Sequence, residues 1–421
     1  MLTKILGRVL PKDHEFRCLH LESPSCETQP IVTPEPGSNQ EGSTIKTKHL
    51  FVLTHLQKVF FGLEVYVYVT QFEQNSGKPT ERLIFISKAD TNGYCDTKVD
   101  IKLVTRELIK YLLSIDPNYY LKKIIPKERN YKNAKIEKVI TRQSTNKEAL
   151  KILAERVANG NSGPVNTNNY YKTLQLEKNE ILLDKLCLFT RPAEQYLFPD
   201  SSKNSRKHVL DGDGLLRWWA SLVDQILIER FNEATTTAKL RIPGEDKYRV
   251  KRYTNQLKFP NWSNGDIFND DEGSLAVFTV PMFPDDPKSR FIRDIVEENL
   301  TQKKTLRTFW TELQERQEFK LSVTVSVMGV TGTPTNRPIY IPNKDVFKTK
   351  SRKQFKFLKN YITGEDYETE EGALDAYTNI ADSLTRLGSS LIKVTGVTEY
   401  KPRPQGPKPM QINTLQVRRK K

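Results

Sequence analysis

One short segment of the sequence, residues 283–291, concentrates charged groups of both signs. Asp285 and Asp286 are adjacent, and Lys288 and Arg290 follow within the same six positions. Prolines flank the two carboxylates and are expected to keep a helix out of the segment. A pair of carboxylates can attract a cationic amine, so we predict that the charge-dependent chemistry of this chain takes place here.

The chemistry that fits this segment is the handling of a lysine amine. Removing a proton from such an amine at neutral pH costs about 4 kcal/mol, because its pKa is about 10.4. Bare carboxylates hold that proton in place unless aromatic side chains lower the local dielectric constant. Trp218, Trp219 and Tyr196 could form such an aromatic wall. Alternatively, the segment is an ordinary surface turn and the tryptophans belong to the core.

A β-sheet and several helices are predicted to position these groups. Alternation of β-branched and aromatic residues predicts strands within residues 50–72 and at residues 82–87, and residues 90–93 are expected to form the turn that leaves the sheet. Residues 22–46 are rich in proline, serine and glutamate, which predicts an irregular loop. Apolar residues at three- and four-residue steps predict helices at residues 104–115, 215–231, 306–313 and 374–387.

Trp218 and Trp219 are neighbours on the helix predicted at residues 215–231. Adjacent residues of a helix point about 100° apart, so we expect at most one of the two rings to face any given pocket. Residues 321–330 alternate like a strand but directly follow a predicted helix, and their type stays open.

Two parts of the chain are expected to lie outside the regular core. Residues 127–178 are polar apart from one amphipathic stretch, which predicts a partly disordered insertion that does not divide the chain into two domains. Residues 401–421 end in a run of basic residues and predict a flexible tail. We therefore predict one domain over residues 1–400, followed by this tail.

The composition predicts a globular protein with an acidic partner. A chain of 421 residues with 37% hydrophobic residues can bury a large core, and a net charge of +15 attracts nucleic acid, anionic lipid or an acidic protein. The sequence has neither a long apolar run nor the apolar core of a signal peptide, so we expect a soluble intracellular protein. The spacing of the four cysteines indicates neither a disulfide framework nor a zinc site.

The common catalytic motifs are missing from the sequence. It contains no phosphate-binding loop of the Walker type, no zinc-binding histidine pair on a helix and no serine nucleophile elbow. The glycine-rich loop by which the common acetyltransferase superfamily grips pyrophosphate is absent as well. If coenzyme A binds here, it must bind in another way.

Several long stretches of the sequence closely resemble one family, the fungal histone acetyltransferases of the regulator-of-Ty-transposition family. The resemblance covers most of the chain outside the insertion and the tail. These stretches are residues 87–95, 187–193, 195–205, 238–246, 283–288, 313–323 and 361–365.

The resemblance implies a fold, a cosubstrate and a set of site residues. We expect a single α/β domain in which a central mixed sheet is surrounded by helices, akin to the CBP-type acetyltransferases, with acetyl-CoA as cosubstrate and no metal. The resemblance assigns catalytic roles to Asp90, Trp219, Asp285, Asp286 and Tyr196, and autoacetylation to Lys288. The implied acetyl-CoA contacts are Phe85, Ser87, Lys88, Ala89, Phe189, Arg191, Ala193, Tyr196, His208, Trp218 and Arg290.

The resemblance also implies a biological setting. The expected substrate is newly synthesised histone H3 in complex with H4, modified in the nucleus on the αN helix near the point where DNA enters the nucleosome and on tail lysines. Histone chaperones of the nucleosome-assembly and anti-silencing-function types are the expected partners. The alternatives are a basic chromatin or nucleic-acid-binding adaptor without catalysis, and an acetyltransferase fold that has lost activity and serves as a chaperone scaffold.

Overall fold

The long strands that the sequence pattern predicts form the centre of the fold. In the computed structural model, β1 (Glu15–Glu22) and β2 (Ser25–Thr28) precede the hairpin of β3 (Gly42–His55) and β4 (Lys58–Phe72). Leu56 and Gln57 connect β3 to β4 with positive φ angles of 48° and 59°. Such a two-residue turn matches the right-handed twist of the paired strands.

The structure describes residues 1–37, 42–73, 76–127, 145–158, 171–177, 180–316 and 324–399. The predicted tail at residues 401–421 and most of the predicted insertion at residues 127–178 lie outside these residues. Their predicted states, and the single domain predicted over residues 1–400, therefore stay predictions.

The remaining strands extend the hairpin into a twelve-stranded mixed sheet, as far as the described residues show. The order along its main path is β11-β1-β3-β4-β5-β7-β10-β8-β9, and β5 and β7 pair in parallel. The other strands are β5 (Thr80–Thr91), β6 (Ile124–Ile125), β7 (Leu182–Thr190), β8 (Thr237–Arg241), β9 (Trp262–Asn264), β10 (Ser326–Gly332), β11 (Phe347–Lys348) and β12 (Ile392–Thr395).

Ten α-helices lie among the described residues, and the four predicted ones are present with shifted ends. Several begin at a capping side chain: Asp100, Asp211 and Asp286 each accept a hydrogen bond from a backbone N–H of the first turn. The helices are α1 (Leu2–Gly7), α2 (Ile101–Ser114), α3 (Asn118–Leu121), α4 (Asn146–Ala158), α5 (Gly212–Arg230), α6 (Lys247–Thr254), α7 (Pro287–Glu297), α8 (Leu306–Glu315), α9 (Arg352–Thr363) and α10 (Glu370–Arg386).

Helices pack on both faces of the sheet. Alternate residues of β3 point to opposite faces: Phe51 and Leu53 join the core that includes α2 and α5. Leu50 and Val52 join the core that includes α9 and α10. The fold class expected from the resemblance, an α/β domain with a mixed sheet between helices, is confirmed.

Two local predictions differ from the structure, and one assignment that the sequence left open is resolved by it. Residues 22–46 are not one irregular loop, since they contain β2 and the beginning of β3. The turn predicted at residues 90–93 begins later, because Asp90 and Thr91 still pair with Gly62 and Phe61 of β4. The ambiguous segment at residues 321–330 becomes β10 from Ser326 onward. Whether these residues form strands depends on hydrogen bonding to a neighbouring strand, which the local sequence does not reveal.

All four cysteines are within the described residues and are free thiols. No described helix combines the length and the apolar composition that a membrane-crossing segment requires.

Candidate active site

A narrow cavity of about 40 Å³ lies at the carboxyl ends of the parallel strands β5 and β7. Ligands of α/β proteins commonly bind at this end of parallel strands, because the segments that follow two neighbouring strands can leave the sheet in different directions and open a crevice. β5 contributes Ser87, Lys88 and Ala89 to the wall. Phe189 and Arg191 contribute from β7 and the loop after it.

A second cavity of about 210 Å³ adjoins the first. Ala89, Tyr196, Leu215 and Trp219 line both cavities, so the two lie side by side. The larger cavity is mostly apolar in its walls, as is usual for cofactor sites. Its remaining walls include Asp90, Ala193, His208 and Trp218.

Trp218 and Trp219 both face the larger cavity, so the expectation that only one of them would do so is wrong. Their rings meet edge to face, with centroids 4.8 Å apart. The side chains are long enough to converge even though their Cα–Cβ bonds diverge on α5. Trp219 is almost fully buried and also borders the narrow cavity, whereas Trp218 is partly exposed.

Asp90 is buried and holds the loop that follows β7. Its Oδ2 accepts hydrogen bonds from the backbone N–H groups of Tyr196, Leu197 and Phe198, at 2.8, 2.9 and 3.4 Å. Its Oδ1 lies 3.0 Å from the ammonium group of Lys207, which is almost fully buried. Asp90 therefore fixes a wall of the larger cavity.

Tyr196 closes the same loop with its side chain. Its hydroxyl accepts a hydrogen bond from the N–H of Ala193 at 2.9 Å and donates one to the carbonyl oxygen of Arg191 at 2.5 Å. Burial raises the pKa of Tyr196 to about 12, so the hydroxyl stays protonated and can donate at neutral pH.

Ser87 carries a polar atom without a partner. Its Oγ is buried and makes no hydrogen bond among the described residues, although Ser87 lines the narrow cavity. An unpaired buried hydroxyl costs about 1–3 kcal/mol, so its presence needs an explanation. A polar group of a bound molecule in the narrow cavity would provide the missing partner.

The charged segment singled out in the sequence adjoins the narrow cavity. Asp285 forms an ion pair with Lys88 of the cavity wall at 3.1 Å, and 64% of the Asp285 side chain is exposed. Asp285 has a φ of 56°, in the left-handed region. The sequence led us to expect that the prolines would exclude a helix from this segment. That expectation is wrong, because α7 begins at Pro287. Proline is well tolerated there because the first N–H of a helix has no intrahelical partner.

Asp286 and Lys288 form a buried ion pair at the start of α7, each with 2% of its surface exposed. The Asp286 Oδ1 accepts a hydrogen bond from the N–H of Lys288 at 2.9 Å, and Oδ2 accepts one from its Nζ at 2.5 Å. The same Nζ lies 4.7 Å from the ring centre of Phe189, which lines the narrow cavity. Lys288 is thus not an ordinary surface lysine.

The pKa values of two carboxyl groups near the site, Asp285 and Asp266, are shifted in opposite directions. Burial favours the neutral form of Asp285, but the hydrogen bond and charge of Lys88, with the charges of Lys359 and Lys48, together lower its pKa. Asp285 is therefore ionised near neutral pH. Behind Lys288, burial raises the pKa of Asp266, a buried carboxyl that lines a small space together with Lys288.

Most of the predicted site residues lie around the two cavities. Phe85 is buried next to them and stacks on Phe283 at 4.1 Å. The predicted residues that line neither cavity are Phe85, Asp285, Asp286, Lys288 and Arg290, of which Arg290 lies on the exposed side of α7. Residues that line a cavity are Ser87, Lys88, Ala89, Asp90, Phe189, Arg191, Ala193, Tyr196, His208, Trp218 and Trp219.

Lys207 and Asp266 are not among the residues predicted from the sequence, although Lys207 pairs with Asp90 and Asp266 faces Lys288. Lys207 directly precedes the predicted site residue His208 in the sequence. The local sequence does not indicate that this lysine, among many, has a buried side chain. Only the fold places its ammonium group beside Asp90.

Comparisons with known proteins show which family this chain resembles. Residues 2–383 match the family of the histone acetyltransferase KAT11-type domain. The histone acetyltransferase RTT109 of Candida albicans is 33% identical over 317 residues, which is 75% of this chain and 83% of that protein. The histone acetyltransferase rtt109 of Aspergillus flavus is 25% identical over 401 residues, which is 83% of this chain and 60% of that protein.

A solved structure shows the same fold. The crystal structure of Rtt109 from Aspergillus fumigatus superimposes with a TM-score of 0.66 at 21% identity, over 95% of this chain and 100% of that chain. The family match and the Candida relative together identify the chemistry, namely the transfer of an acetyl group from acetyl-CoA to histones. This chain therefore belongs to the KAT11-type, Rtt109-like family of fungal histone acetyltransferases.

Proposed function

We propose that this acetyltransferase modifies newly synthesised histone H3 in its complex with H4. The target is a lysine of the αN helix near the point where DNA enters the nucleosome, with lysines of the H3 tail as secondary targets. Histone chaperones of the anti-silencing-function and nucleosome-assembly types present the histones, in the nucleus, during nucleosome assembly and genome maintenance. The net charge of +15 supports acidic chaperones as partners, because opposite charge speeds and orients association.

The observation that carries this proposal is the buried pair of Asp286 and Lys288 beside two adjoining cavities. We place acetyl-CoA in these cavities, where it would supply a thioester whose acetyl group can be transferred. Ser87 would hydrogen-bond to it in the narrow cavity. Arg191 and His208, both exposed at the rim, would contact its phosphate groups.

Asp286 is the group that we assign to the substrate amine. The amine nitrogen must be neutral to form its bond to the acetyl carbon, while the bond from that carbon to sulfur breaks and the leaving sulfur ends with a proton. A buried carboxylate can hold the incoming ammonium group and accept its proton, directly or through a water molecule. Asp285, ionised by its contact with Lys88, would attract the ammonium group first.

The aromatic walls reduce the cost of this proton transfer. Burial disfavours the charged form of an amine, so Trp219 and Tyr196 would lower the pKa of a lysine that enters between them. Asp90 contributes indirectly: its hydrogen bonds to residues 196–198 hold Tyr196 in place. We therefore assign Asp90 a positioning role.

Lys288 would regulate access to Asp286. Its ammonium group occupies the carboxylate that the substrate amine must reach, at 2.5 Å. Acetylation of Lys288 would remove the positive charge and release Asp286. We propose that Lys288 is the autoacetylation site and that its modification activates the enzyme.

Mass spectrometry after a defined reaction tests this assignment. The wild-type chain and an Asp286→Asn variant are incubated with acetyl-CoA and the H3–H4 complex, with and without chaperone, and acetyl-lysines are mapped. Asparagine can still cap α7, so the variant mainly removes charge. We expect the wild type to modify H3 and its own Lys288, with chaperone shifting the products towards the αN-helix lysine.

The control is Asp382→Asn, which removes an exposed carboxylate on α10. It should behave like the wild type, and circular dichroism should show that both variants are folded. Equal histone modification by wild type and Asp286→Asn would refute the role of Asp286. Tight, salt-sensitive DNA binding without acetyl transfer by the wild type would favour the adaptor, and coenzyme A binding without turnover would favour the inactive scaffold.

A further inference from the structure

Two histidines and a glutamate meet on one face of the sheet, outside the candidate active site. His20 and Glu22 lie two positions apart on β1, so their side chains point to the same face. His49 of β3 lies directly opposite Glu22 in the antiparallel register. All three are at most 1% exposed, and one potential ligand atom from each lies within 4.8 Å of the other two.

Hydrogen bonds determine which nitrogen of His20 carries a lone pair. His20 Nδ1 lies 3.1 Å from the carbonyl oxygen of Asp345. A carbonyl oxygen only accepts hydrogen bonds, so His20 Nδ1 carries the proton and Nε2 carries the lone pair. This Nε2 accepts a hydrogen bond from His49 Nδ1–H, at 3.0 Å. For His49 Nδ1 to bind an ion, that proton must move to His49 Nε2, which makes no hydrogen bond among the described residues.

Glu22 adds a buried negative charge to the cluster. Its Oε2 accepts a hydrogen bond from the Tyr119 hydroxyl at 2.9 Å, whereas its Oε1 makes no hydrogen bond among the described residues. Lys348 Nζ forms an ion pair with Oε1 at 2.9 Å, and the Lys348 side chain is partly exposed.

We propose that His20 Nε2, His49 Nδ1 and Glu22 Oε1 bind a divalent transition-metal ion, for which zinc is the best fit. Two nitrogens at about 2.0–2.1 Å from a tetrahedral zinc ion lie about 3.3 Å apart. The two nitrogens here are already 3.0 Å apart. Two imidazoles and one carboxylate are a common zinc ligand set, with water in the fourth position.

The surroundings of the three side chains suit metal ligands. The Asp345 carbonyl and the Tyr119 hydroxyl already orient His20 and Glu22, as outer hydrogen bonds commonly do at metal sites. When the ion binds, the Lys348 side chain would rotate away from Glu22 into solvent.

The role of this ion would be structural. It would join β1 to β3, and its outer contacts would reach α3 through Tyr119 and the segment before β11 through Asp345. β4 separates β3 from β5, which carries the candidate active site, so acetyl transfer should not require the ion. Binding to the folded chain alone raises its thermal stability by mass action.

The test measures zinc binding and stability on the full-length chain. Protein treated with a chelator is titrated with zinc, the bound metal is counted by elemental analysis, and the thermal midpoint is recorded with and without zinc. Cobalt(II) replaces zinc in a parallel titration, because its visible spectrum reports nitrogen ligands and tetrahedral geometry. We expect one zinc ion per chain, a midpoint raised by a few degrees, and a cobalt spectrum that Glu22→Gln and His49→Gln abolish.

A matched control is His14→Asn. His14 and His55 form another histidine pair, with Nδ1 and Nε2 3.3 Å apart, but they are not part of a potential metal-binding group among the described residues. This variant should keep zinc binding. A wild-type chain that binds no zinc and gains no stability would overturn the proposal, and would leave a neutral, hydrogen-bonded histidine pair. Zinc binding that survives both Glu22→Gln and His49→Gln would overturn it as well.

Discussion

Two buried acid–lysine pairs border the candidate active site, and they are built differently. Asp90 accepts hydrogen bonds from three backbone N–H groups at residues 196–198 and one from Thr91, in addition to its ion pair with Lys207. The two hydrogen bonds that Asp286 accepts both come from Lys288. The Asp90 carboxylate is held mainly by the backbone of a distant loop, whereas the Asp286 carboxylate is held by the backbone N–H and the ammonium group of one nearby residue, Lys288.

This difference separates positioning from chemistry. An incoming amine could bind Asp90 only if protein hydrogen bonds were lost, and each such loss leaves a buried donor without a partner. At Asp286, a substrate lysine would replace an ammonium group of the same kind. We therefore expect substitutions at the first pair to change stability and substitutions at the second pair to change turnover.

The largest expected effect is on stability and concerns Asp90→Asn. Asparagine offers one acceptor oxygen where the carboxylate offers two, and its amide group would face N–H or ammonium donors. Lys207 would also lose its buried partner, which typically costs about 3–5 kcal/mol. Urea unfolding should show a loss of about 3 kcal/mol.

Asp375→Asn is the control for Asp90→Asn, because it changes an exposed carboxylate of α10 and should leave the unfolding free energy unchanged. If Asp90→Asn unfolds like the wild type and yet loses turnover, the comparison fails. Asp90 would then take part directly in proton transfer, as the family resemblance first suggested.

The elements around this site follow from sequence to different degrees. The helix pattern at residues 215–231 predicts α5 to within a few residues, because its apolar face must be buried against the sheet. The role of Asp90 was not predictable, since its five donors come from distant parts of the chain or from the backbone. Residues 90–93 are polar and end in glycine, a pattern that indicates a turn. Only the pairing with β4 shows that β5 continues through Asp90.

The site residues show the same limit. The resemblance assigned site roles to eleven residues that line the cavities, and all but His208, Trp218 and Trp219 lie within the matched stretches. Physical patterns alone indicated only the charged segment and the aromatic residues. The cluster of His20, Glu22 and His49 escaped both approaches, since its ligands come from two strands and no local spacing records their register.

A smaller effect, on turnover, is expected for Lys288→Arg. Arginine stays charged at any relevant pH and cannot be acetylated as lysine is, so it would keep Asp286 occupied. Initial rates with H3–H4 at saturating acetyl-CoA should fall about tenfold, which corresponds to about 1.4 kcal/mol of transition-state stabilisation. Lys288→Gln, which lacks the charge, should keep most of the activity.

Lys303→Arg provides the matched control, since Lys303 is exposed after the end of α7. Undiminished turnover of Lys288→Arg would show that Lys288 does not compete with substrate for Asp286. The two acid–lysine pairs would then both be structural.

A still smaller effect is expected for Tyr196→Phe. The variant loses the hydrogen bonds of the hydroxyl to Ala193 and Arg191, which are worth about 1 kcal/mol. The loop that we place against acetyl-CoA would become looser, so KM for acetyl-CoA should rise about fivefold while kcat stays close to wild type. Tyr248→Phe, at an exposed tyrosine, is the control. A fall in kcat at constant KM would instead indicate that the hydroxyl acts in the reaction.

The smallest expected effect is a shift in pH dependence on removal of Lys88. Lys88 is the main cationic partner of Asp285 and helps to hold its pKa below the ordinary value, so Asp285 keeps its charge as the pH falls. In Lys88→Gln the pKa should rise, and the charge should be lost at a higher pH. Rates at saturating acetyl-CoA should therefore decline earlier on the acidic side and stay unchanged near pH 8. An acidic limb that does not move would show that the charge of Asp285 is not needed, and that Asp286 alone receives the amine.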